Sequence, residues 1–345
     1  MKKLFVVAGV FFLFITVAFA HDGVHRQDKG PFTLKKLTDD VYVLYGRGGN
    51  IGICATAEGV VVIDDQFADL APGIAAQIKS ISDKPVKFLI NTHHHFDHTG
   101  GNEFFIRMTT IVAHDNVRKH MLAAPQETIE NQTARIQRLE KQIAEAKDPQ
   151  SKEVSDLKGQ IEAAKKNVET ARAIKISDVP APNITFSREM RIYVGGKEIQ
   201  VFHAKRGHTD GDSIIYFPKD KVAHLGDLFV NKRMPFIDRA HGASSAEWVE
   251  TLDAVLSRID PASQVIPGHG EAGTVADLRA FRQYLVDLRE AVKQAIAAGK
   301  TREQAVKEIQ LPQYSSHTGY AQGLAGNVGI VYDEMKESTK DTKVQ

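Results

Sequence analysis

Short apolar runs alternate with polar turns in the first part of the chain. Within Phe32–Asp64, runs of β-branched and aromatic residues such as Val41–Tyr45 and Val60–Ile63 are separated by glycine- and aspartate-rich turns, a pattern typical of strands in one sheet. Asp69–Ser82 carries apolar residues three and four positions apart, which predicts a helix. Lys87–Ile90 then predicts a buried strand. This order of elements indicates a layered α/β domain.

The pattern changes between residues 126 and 174. Apolar residues there recur at steps of three, four and seven, with charged and amide residues between them, and the break falls at Asp148–Ser151. We predict an antiparallel helical hairpin inserted at about 124–176. Because each arm is short, the hairpin would pack on the main domain or on a second copy of the chain. A helical linker without a partner is the alternative.

Strand patterns return after Pro180. The predicted strands are Arg191–Val194, Glu198–His203, Ser213–Phe217, Lys221–Leu225 and Gln264–Ile266. Gly195 and Gly196 predict a tight hairpin turn between the first two of them. Ser244–Arg258 predicts a helix, and a helical C-terminal extension follows at about 274–345.

The N-terminus has the features of an export signal. Lys2 and Lys3 precede the apolar run Leu4–Phe19, and small residues at Ala18 and Ala20 fit a cleavage site. We therefore predict a signal peptide at 1–20 and a periplasmic or secreted chain. An uncleaved membrane anchor is the alternative, although the run is short for a span. No later stretch is apolar enough to predict a membrane span in the mature chain.

Composition narrows the classes of partner. The 345 residues are 42% hydrophobic and 25% charged, which is typical of a globular protein. With 44 lysines and arginines against 43 aspartates and glutamates, the charge balance does not favour nucleic acid as a partner. Cys54 is the single cysteine, so no internal disulfide can form. We interpret it as a small buried apolar residue in a strand.

The segment Thr92–His98, Thr-His-His-His-Phe-Asp-His, follows a predicted buried strand. Side chains two positions apart on an extended segment point the same way, so His93 and His95 could hold one ion. Asp97 and His98 would face a second position. Imidazole and carboxylate are ligands that zinc prefers.

Three further residues could complete a two-metal site. His208, Asp227 and His269 each stand at a predicted strand end beside glycine, where the backbone can approach a crowded centre. Each is a weak signal when taken alone, because a lone histidine is more often structural. Their order along the chain makes the set specific.

This series resembles the metallo-β-lactamase superfamily, and the similarity runs from about Val41 to Gly270. The resemblance implies a four-layer αβ/βα sandwich carrying two zinc ions per chain. His93, His95 and His208 would hold the first zinc, and Asp97, His98 and His269 the second. Asp227 would bridge both ions. Asp64 would orient a metal-bound histidine, or would serve only as a turn or cap residue.

The implied function is hydrolysis of a small-molecule substrate. Two zinc ions would lower the pKa of a bridging water toward about 7, and the hydroxide would attack a carbonyl carbon. Asp97 would be the catalytic residue that holds and moves a proton. β-Lactam hydrolysis is one expectation. Asp227 stands where the best-known lactamase subclass has cysteine, and it favours a lactonase or a glyoxalase II-like thioesterase as the alternative.

Other hypotheses stay open. An iron redox protein on the same fold is disfavoured by His98 and by the absence of a flavin-binding segment. The hairpin could instead mediate self-association or bind a partner protein. His94 is expected to be structural or to support a ligand. The cations that flank the predicted ligands could bind a substrate carboxylate or could simply be solvated; they are Lys205, Arg206, Lys232 and Arg233.

Overall fold

The computed structural model describes residues 32–341, with side chains as far as Ser338. The predicted signal peptide at 1–20 lies outside the described residues. Two compact units make up the described chain: residues 32–119 together with 180–341, and residues 120–179. None of the helices between residues 32 and 341 combines the length and apolar character that a membrane span needs.

In the described part of the larger unit, seven strands form the first sheet in the order of the chain. They are β1 (Thr33–Lys36), β2 (Val41–Tyr45), β3 (Ile51–Ala55), β4 (Val60–Ile63), β5 (Val86–Ile90), β6 (Thr110–His114) and β7 (Ile184–Phe186). Strands β1 to β4 pair antiparallel, and β4 to β7 pair parallel. Because β5 runs parallel to β4, the chain after each strand starts at the same edge of the sheet.

The second sheet has six described strands in the order β13-β12-β11-β10-β9-β8. They are β8 (Glu189–Val194), β9 (Lys197–Phe202), β10 (Ile214–Phe217), β11 (Val222–His224), β12 (Gln264–Ile266) and β13 (Gly273–Thr274). Gly195 and Gly196 join β8 to β9 with φ angles of 54° and 79°, in the left-handed region that glycine adopts without steric cost. The predicted tight turn is therefore present.

The helices of the larger unit cover the outer faces of both sheets. They are α1 (Ala71–Ile81), α2 (Phe96–Thr99), α3 (Asn102–Phe105), α6 (Ser245–Arg258), α7 (Val275–Ala297), α8 (Arg302–Glu308) and α9 (Tyr320–Asp341), while α4 (Asp115–Glu145) and α5 (Lys152–Ala173) lie between α3 and α6 in the chain.

Three buried clusters define the layers. The central one combines residues of both sheets, such as Val61 and Ile215, so the inner faces pack on each other. A second cluster joins the outer face of the first sheet to α1, through residues such as Ile53 and Ile74. A third joins the second sheet to α6, α7 and α9. The order helix, sheet, sheet, helix confirms the predicted four-layer α/β sandwich.

The smaller unit consists mainly of α4 and α5. Ser151 is the N-cap of α5, and its side chain accepts a hydrogen bond from Val154 N. A hydrogen bond of 3.0 Å from Arg135 Nη2 to Gln160 Oε1 links the two helices. The first helix starts at Asp115, earlier than the predicted boundary of about 124. It runs through Pro125, a residue type that more often marks the first turn of a helix.

Candidate metal centre

The structure brings all seven predicted ligand residues together in the larger unit. Their ligand atoms fall into two groups, and within each group all of these atoms lie within 4.8 Å of one another. The first group is His93, His95, His208 and Asp227, and the second is Asp97, His98 and His269. All of them lie in segments that follow strands β5, β9, β11 and β12.

Asp227 stands between the two groups. Its Oδ2 lies 3.7 Å from His208 Nε2, whereas its Oδ1 lies 3.2 Å from His98 Nε2 and 3.5 Å from His269 Nε2. One carboxylate therefore directs one oxygen toward each group, which is the arrangement that a bridging ligand requires.

The local geometry of the His-rich segment differs from the extended chain that we expected. Residues 92–94 form bends, and Asp97 and His98 lie on the single turn of α2. The expected convergence is nevertheless present, because His93 Nε2 and His95 Nδ1 lie 3.1 Å apart. The bend is therefore as effective as a strand in directing these two rings to one point.

Asp64 fixes the ring of His98. His98 Nδ1 donates to Asp64 Oδ2 at 2.7 Å, and Thr92 donates to the same carboxylate from its backbone N at 2.7 Å and from Oγ1 at 2.8 Å. Asp64 adopts a φ of 61° at the end of β4, a strained value for a non-glycine residue. The carboxylate thus sets the ring orientation of His98 and leaves its Nε2 facing the centre.

Two further acceptors hold histidines of the first group. His208 Nδ1 donates to the carbonyl oxygen of Phe236 at 2.7 Å, and His95 Nε2 donates to Asp238 Oδ2 at 2.8 Å. Asp238 also accepts from His241 Nδ1 at 2.6 Å. Such partners fix the tautomer and the ring orientation of a ligand histidine.

Neither of these acceptors was predicted from the sequence. A backbone carbonyl such as that of Phe236 leaves no signal in a sequence. Asp238 precedes His241 by three residues, and that spacing indicates only the cap of a short turn, which Asp238 also provides. His94 supports the same region as expected, because its ring packs 4.4 Å from that of His241.

The donor set fits a bound cation. His98 Nε2 and Asp227 Oδ1 are buried and have no hydrogen-bond partner within the described residues. Buried polar atoms are normally satisfied, so two orphaned atoms that face each other indicate a ligand between them. Imidazole nitrogen and carboxylate oxygen are the donors that zinc and related divalent metals take.

The charge state of the two groups differs. Burial, helped by the neighbouring His95 ring, lowers the pKa of His208 to about 4, and burial also holds the pKa of His93 well below its usual range. Burial opposes the charge of His269, but the carboxylates of Asp227 and Asp97 outweigh it and raise its pKa to about 9. In the metal-free chain, a cation that binds His269 would therefore have to displace the proton of this imidazole.

Glycine allows the close approach of the backbone at two points. Gly226 has a φ of 51°, and a Cβ there would lie 2.4 Å from Thr92 Oγ1. A Cβ at Gly268 would lie 1.8 Å from Asp227 Oδ1. Any larger residue at either position would displace a side chain of the centre or its support.

Side chains around the centre set what can approach it. Phe236 is 60% exposed, and its ring centroid lies 5.9 Å from that of His95 and 6.1 Å from that of His208. Among the flanking cations, Lys205 pairs with Glu250 and Arg206 pairs with Glu247. These two cations therefore bind protein carboxylates, while Lys232 and Arg233 are exposed.

Cys54 has no part in the centre. Its side chain is fully buried in β3, and burial raises the pKa of its thiol to about 12. The interpretation as a small buried apolar residue agrees with this environment, because the thiolate needed for nucleophilic attack is disfavoured.

The model of the metallo-beta-lactamase superfamily matches residues 45–269, which contain the whole centre. The chain belongs to this superfamily. Its membership confirms the resemblance seen in the motif and supports the prediction that the chain is a hydrolytic enzyme.

Relatives of the chain within the superfamily are named as enzymes with different substrates. The chain is 22% identical over 281 residues to the linear primary-alkylsulfatase of Pseudomonas sp. (strain ATCC 19151), covering 79% of this chain but only 52% of that protein. It is 22% identical over 257 residues to the metallo-beta-lactamase type 2 of Elizabethkingia meningoseptica, covering 71% of this chain and 81% of the relative. The chain thus spans about half the length of the alkylsulfatase.

Solved structures agree on the fold. The stereoselective inverting sec-alkylsulfatase from Pseudomonas sp. superposes with a TM-score of 0.62 at 19% identity, covering 88% of this chain and 50% of that one. A metallo-beta-lactamase from Pontibacter korlensis gives a TM-score of 0.51 at 20% identity, covering 74% and 98%. At these sequence identities the structural similarity establishes the four-layer α/β fold. It does not identify the substrate.

Proposed function

We propose that the chain is an exported, zinc-dependent hydrolase that uses two zinc ions to cleave a small-molecule substrate. The observation that carries this proposal is the position of Asp227, whose two oxygens face two separate groups of histidines. A structural single-metal site would close around one ion with four ligands and would not need this arrangement.

The assignment of ligands follows the two groups. His93, His95 and His208 would hold the first ion, and Asp97, His98 and His269 the second, with Asp227 shared by both. When bound, such a metal pair supplies a water that is acidic enough to act as a nucleophile near neutral pH and a Lewis acid for a substrate oxygen.

The protein residues have distinct tasks in this proposal. Asp97 is about one third exposed, and its Oδ2 lies 3.1 Å from His269 Nε2, so its Oδ1 is the atom that we assign to hold and transfer a proton. Asp64 and Asp238 keep the rings of His98 and His95 in place. The exposed ring of Phe236 offers an apolar surface beside the first group.

For the substrate, we propose a carbonyl compound such as a β-lactam, with a lactone or a thioester as the alternative. Support for the lactam comes from the relatives named metallo-beta-lactamase type 2, one of which is covered over 81% of its length. Support for the lactone or thioester comes from Asp227, which stands where the best-known lactamase subclass resembled by the motif has cysteine.

A second candidate is an alkyl sulfate ester. Support comes from the relative named linear primary-alkylsulfatase, which matches 79% of this chain and of whose own length the chain covers 52%. The exposed Phe236 ring beside His95 and His208 would suit an alkyl chain, because apolar contact there removes both surfaces from water.

A substrate panel separates these candidates. The panel consists of nitrocefin, an acyl-homoserine lactone, S-lactoylglutathione, dodecyl sulfate, sec-octyl sulfate and a phosphodiester, each measured with the zinc-loaded protein and with Asp97→Ala. The largest kcat/KM that also depends on Asp97 identifies the substrate class. Hydrolysis that continues unchanged after complete metal removal contradicts the proposal for every class.

Export has its own test. The signal peptide predicted at 1–20 would be cleaved so that the mature chain begins at His21. Mass spectrometry of the protein from the periplasmic fraction of a bacterial host should then give the mass of residues 21–345. Recovery of the uncleaved chain in the membrane fraction would support the anchor instead.

Self-association through the helical unit remains a separate proposal. Leu139 and Ile161 are already buried, but apolar residues that stay partly exposed on α4 and α5, such as Ile136 and Leu157, would suit a helical interface with a second copy. Light scattering of the purified mature chain should give twice the monomer mass if two copies associate. A monomer mass at all concentrations would reject self-association without affecting the proposed chemistry.

A further inference from the structure

One loop supports two of the three histidines in the first group. The segment 232–244, called the support loop below, supplies the Phe236 carbonyl to His208 and the Asp238 carboxylate to His95. A displacement of this loop would therefore change the orientation of both rings at once.

The C-terminal part of the chain holds the start of the support loop. Thr318 donates its N–H to the carbonyl of Lys232 and accepts from the N–H of Met234, both at 3.0 Å. Within α9, the buried Asn327 donates from Nδ2 to the carbonyl oxygen of Pro235 at 3.0 Å. That carbonyl belongs to the residue directly before Phe236.

The same helix holds the end of the loop. Glu334, which is 6% exposed, accepts hydrogen bonds from Ser244 Oγ at 2.9 Å and from Ser245 N at 3.1 Å. Ser244 is the N-cap of α6. A buried carboxylate at a helix N-terminus is favourably placed, because the free N–H groups there carry partial positive charge.

Packing between α9 and the loop is tight at one point. A Cβ added at Gly323 would lie only 2.5 Å from Met234 Cβ, an atom next to the backbone that cannot rotate away. A Cβ at Gly326, in the same helix, would meet no atom within 4 Å. The chain thus contains a natural pair of sites that differ in contact with the support loop and share a helical backbone.

We propose that helix α9 positions the support loop and thereby sets the affinity of the first metal position, with Gly323, Asn327 and Glu334 as the positioning residues. This inference rests on the proposed metal centre. The superfamily model matches residues 45–269, and helix α9 lies beyond them. The three positioning residues therefore belong to the part of the chain that follows the matched region.

The experiment compares Gly323→Ala with Gly326→Ala. Both substitutions raise helix propensity by the same amount. They differ because only the alanine at position 323 would clash with Met234. Zinc affinity is measured by competition with a chromophoric chelator, and the visible spectrum of the cobalt(II)-substituted protein reports ligand geometry. Loss of a partner that orients a metal ligand typically weakens metal binding about 10- to 100-fold. For Gly323→Ala we therefore expect the zinc affinity of one of the two metal positions to fall at least about 10-fold.

A second variant, Asn327→Leu, keeps the test valid if Gly323→Ala does not fold. It removes the hydrogen bonds that Asn327 Nδ2 donates to the Pro235 carbonyl and to Tyr284 Oη. We expect weaker binding of one ion and an altered cobalt spectrum in this variant, with Gly326→Ala equal to the parent. The inference is overturned if the variant that folds has the zinc affinity and the cobalt spectrum of the parent. It is also overturned if neither variant folds, because α9 would then be required for stability and not specifically for metal binding. If the parent itself binds no metal, the proposed function fails instead.

Discussion

Asp64 Oδ2 accepts a hydrogen bond from His98 Nδ1 at 2.7 Å, and neither side chain is exposed to solvent. The contact links the end of β4 to the turn α2, so that the first sheet itself fixes one ring of the centre. Buried pairs of this kind hold a ligand in its productive orientation without an entropic cost at the time of binding.

Asp64→Asn should weaken the second metal position. The amide keeps the shape of the carboxylate but loses its charge, so His98 becomes a poorer donor to a metal, and we expect an affinity about 10- to 100-fold lower. Zinc titration against a chelator measures the effect. Asp65→Asn is the matched control, because Asp65 is equally buried but its carboxylate accepts from Gly101 N at 2.9 Å.

Asp238 offers a graded test at the first position. Asp238→Asn keeps an oxygen that can accept from His95, whereas Asp238→Ala removes it and leaves His95 and His241 without this partner. We expect zinc affinity to fall in the order parent, Asn, Ala. The exposed Asp39 provides the control Asp39→Asn, which should match the parent. Equal affinity of all four proteins would contradict the role of Asp238.

Asp97→Ala tests the assigned proton carrier. Loss of a general acid–base group typically lowers kcat by about 10²- to 10⁴-fold, and we expect a loss in this range on the substrate that the panel identifies. Metal content should be measured on the same sample, because Asp97 is also a proposed ligand. A variant that keeps two zinc ions and full activity would exclude Asp97 from catalysis.

Metal removal should abolish hydrolysis and lower stability. Dialysis against a strong chelator takes away the ions that bind only the folded chain, so the free energy of unfolding should fall by mass action. Denaturant titration of the metal-free and zinc-loaded protein measures the difference. Added zinc should restore both activity and stability, whereas added magnesium should restore neither, because it binds poorly to imidazole.

His224 predicts acid sensitivity of the metal-free protein. Burial lowers its pKa to about 4 despite the nearby Asp64, and its Nε2 donates to the Asn50 carbonyl at 3.0 Å. Between pH 6.5 and 4 the unfolded chain binds a proton that the folded chain does not. Stability due to His224 is thus present above pH 6.5 and lost as pH falls toward 4, by up to about 3 kcal/mol.

The measurement compares unfolding free energies at pH 7 and pH 4.5 in the parent and in His224→Gln. Glutamine can keep the donated hydrogen bond and does not titrate, so the variant should lose less stability on acidification. Parallel losses in the two proteins would show that His224 does not titrate differently on unfolding.

Much of the fold was within reach of the sequence. Short apolar runs marked β2, β4 and β5, because these strands are buried wholly or in large part. Apolar spacing marked α1 and α6, because each of these helices buries one face. The start of α4 was missed because Pro125 inside a helix runs against the usual preference. The layer order came from the resemblance to the superfamily.

Part of the candidate metal centre could also be predicted from the sequence, and part could not. The convergence of His93, His95, Asp97 and His98 could be predicted because these four ligand-type residues are close in sequence. That of Asp227 and His269 could be predicted because each follows a strand beside glycine. The support of His95 by Asp238 could not be predicted, since 143 residues separate the two and only the tertiary fold brings them together. The carbonyl of Phe236 carries no side-chain signal at all.

The burial of Cys54 also makes the chain a convenient vehicle for site-directed labelling. Because the single native thiol is fully enclosed and resists ionisation, maleimide dyes should leave the native protein unmodified. A thiol introduced by Phe236→Cys would then carry one fluorophore at an exposed position beside the histidines. Its emission would follow the arrival and departure of molecules at the mouth of the centre in real time.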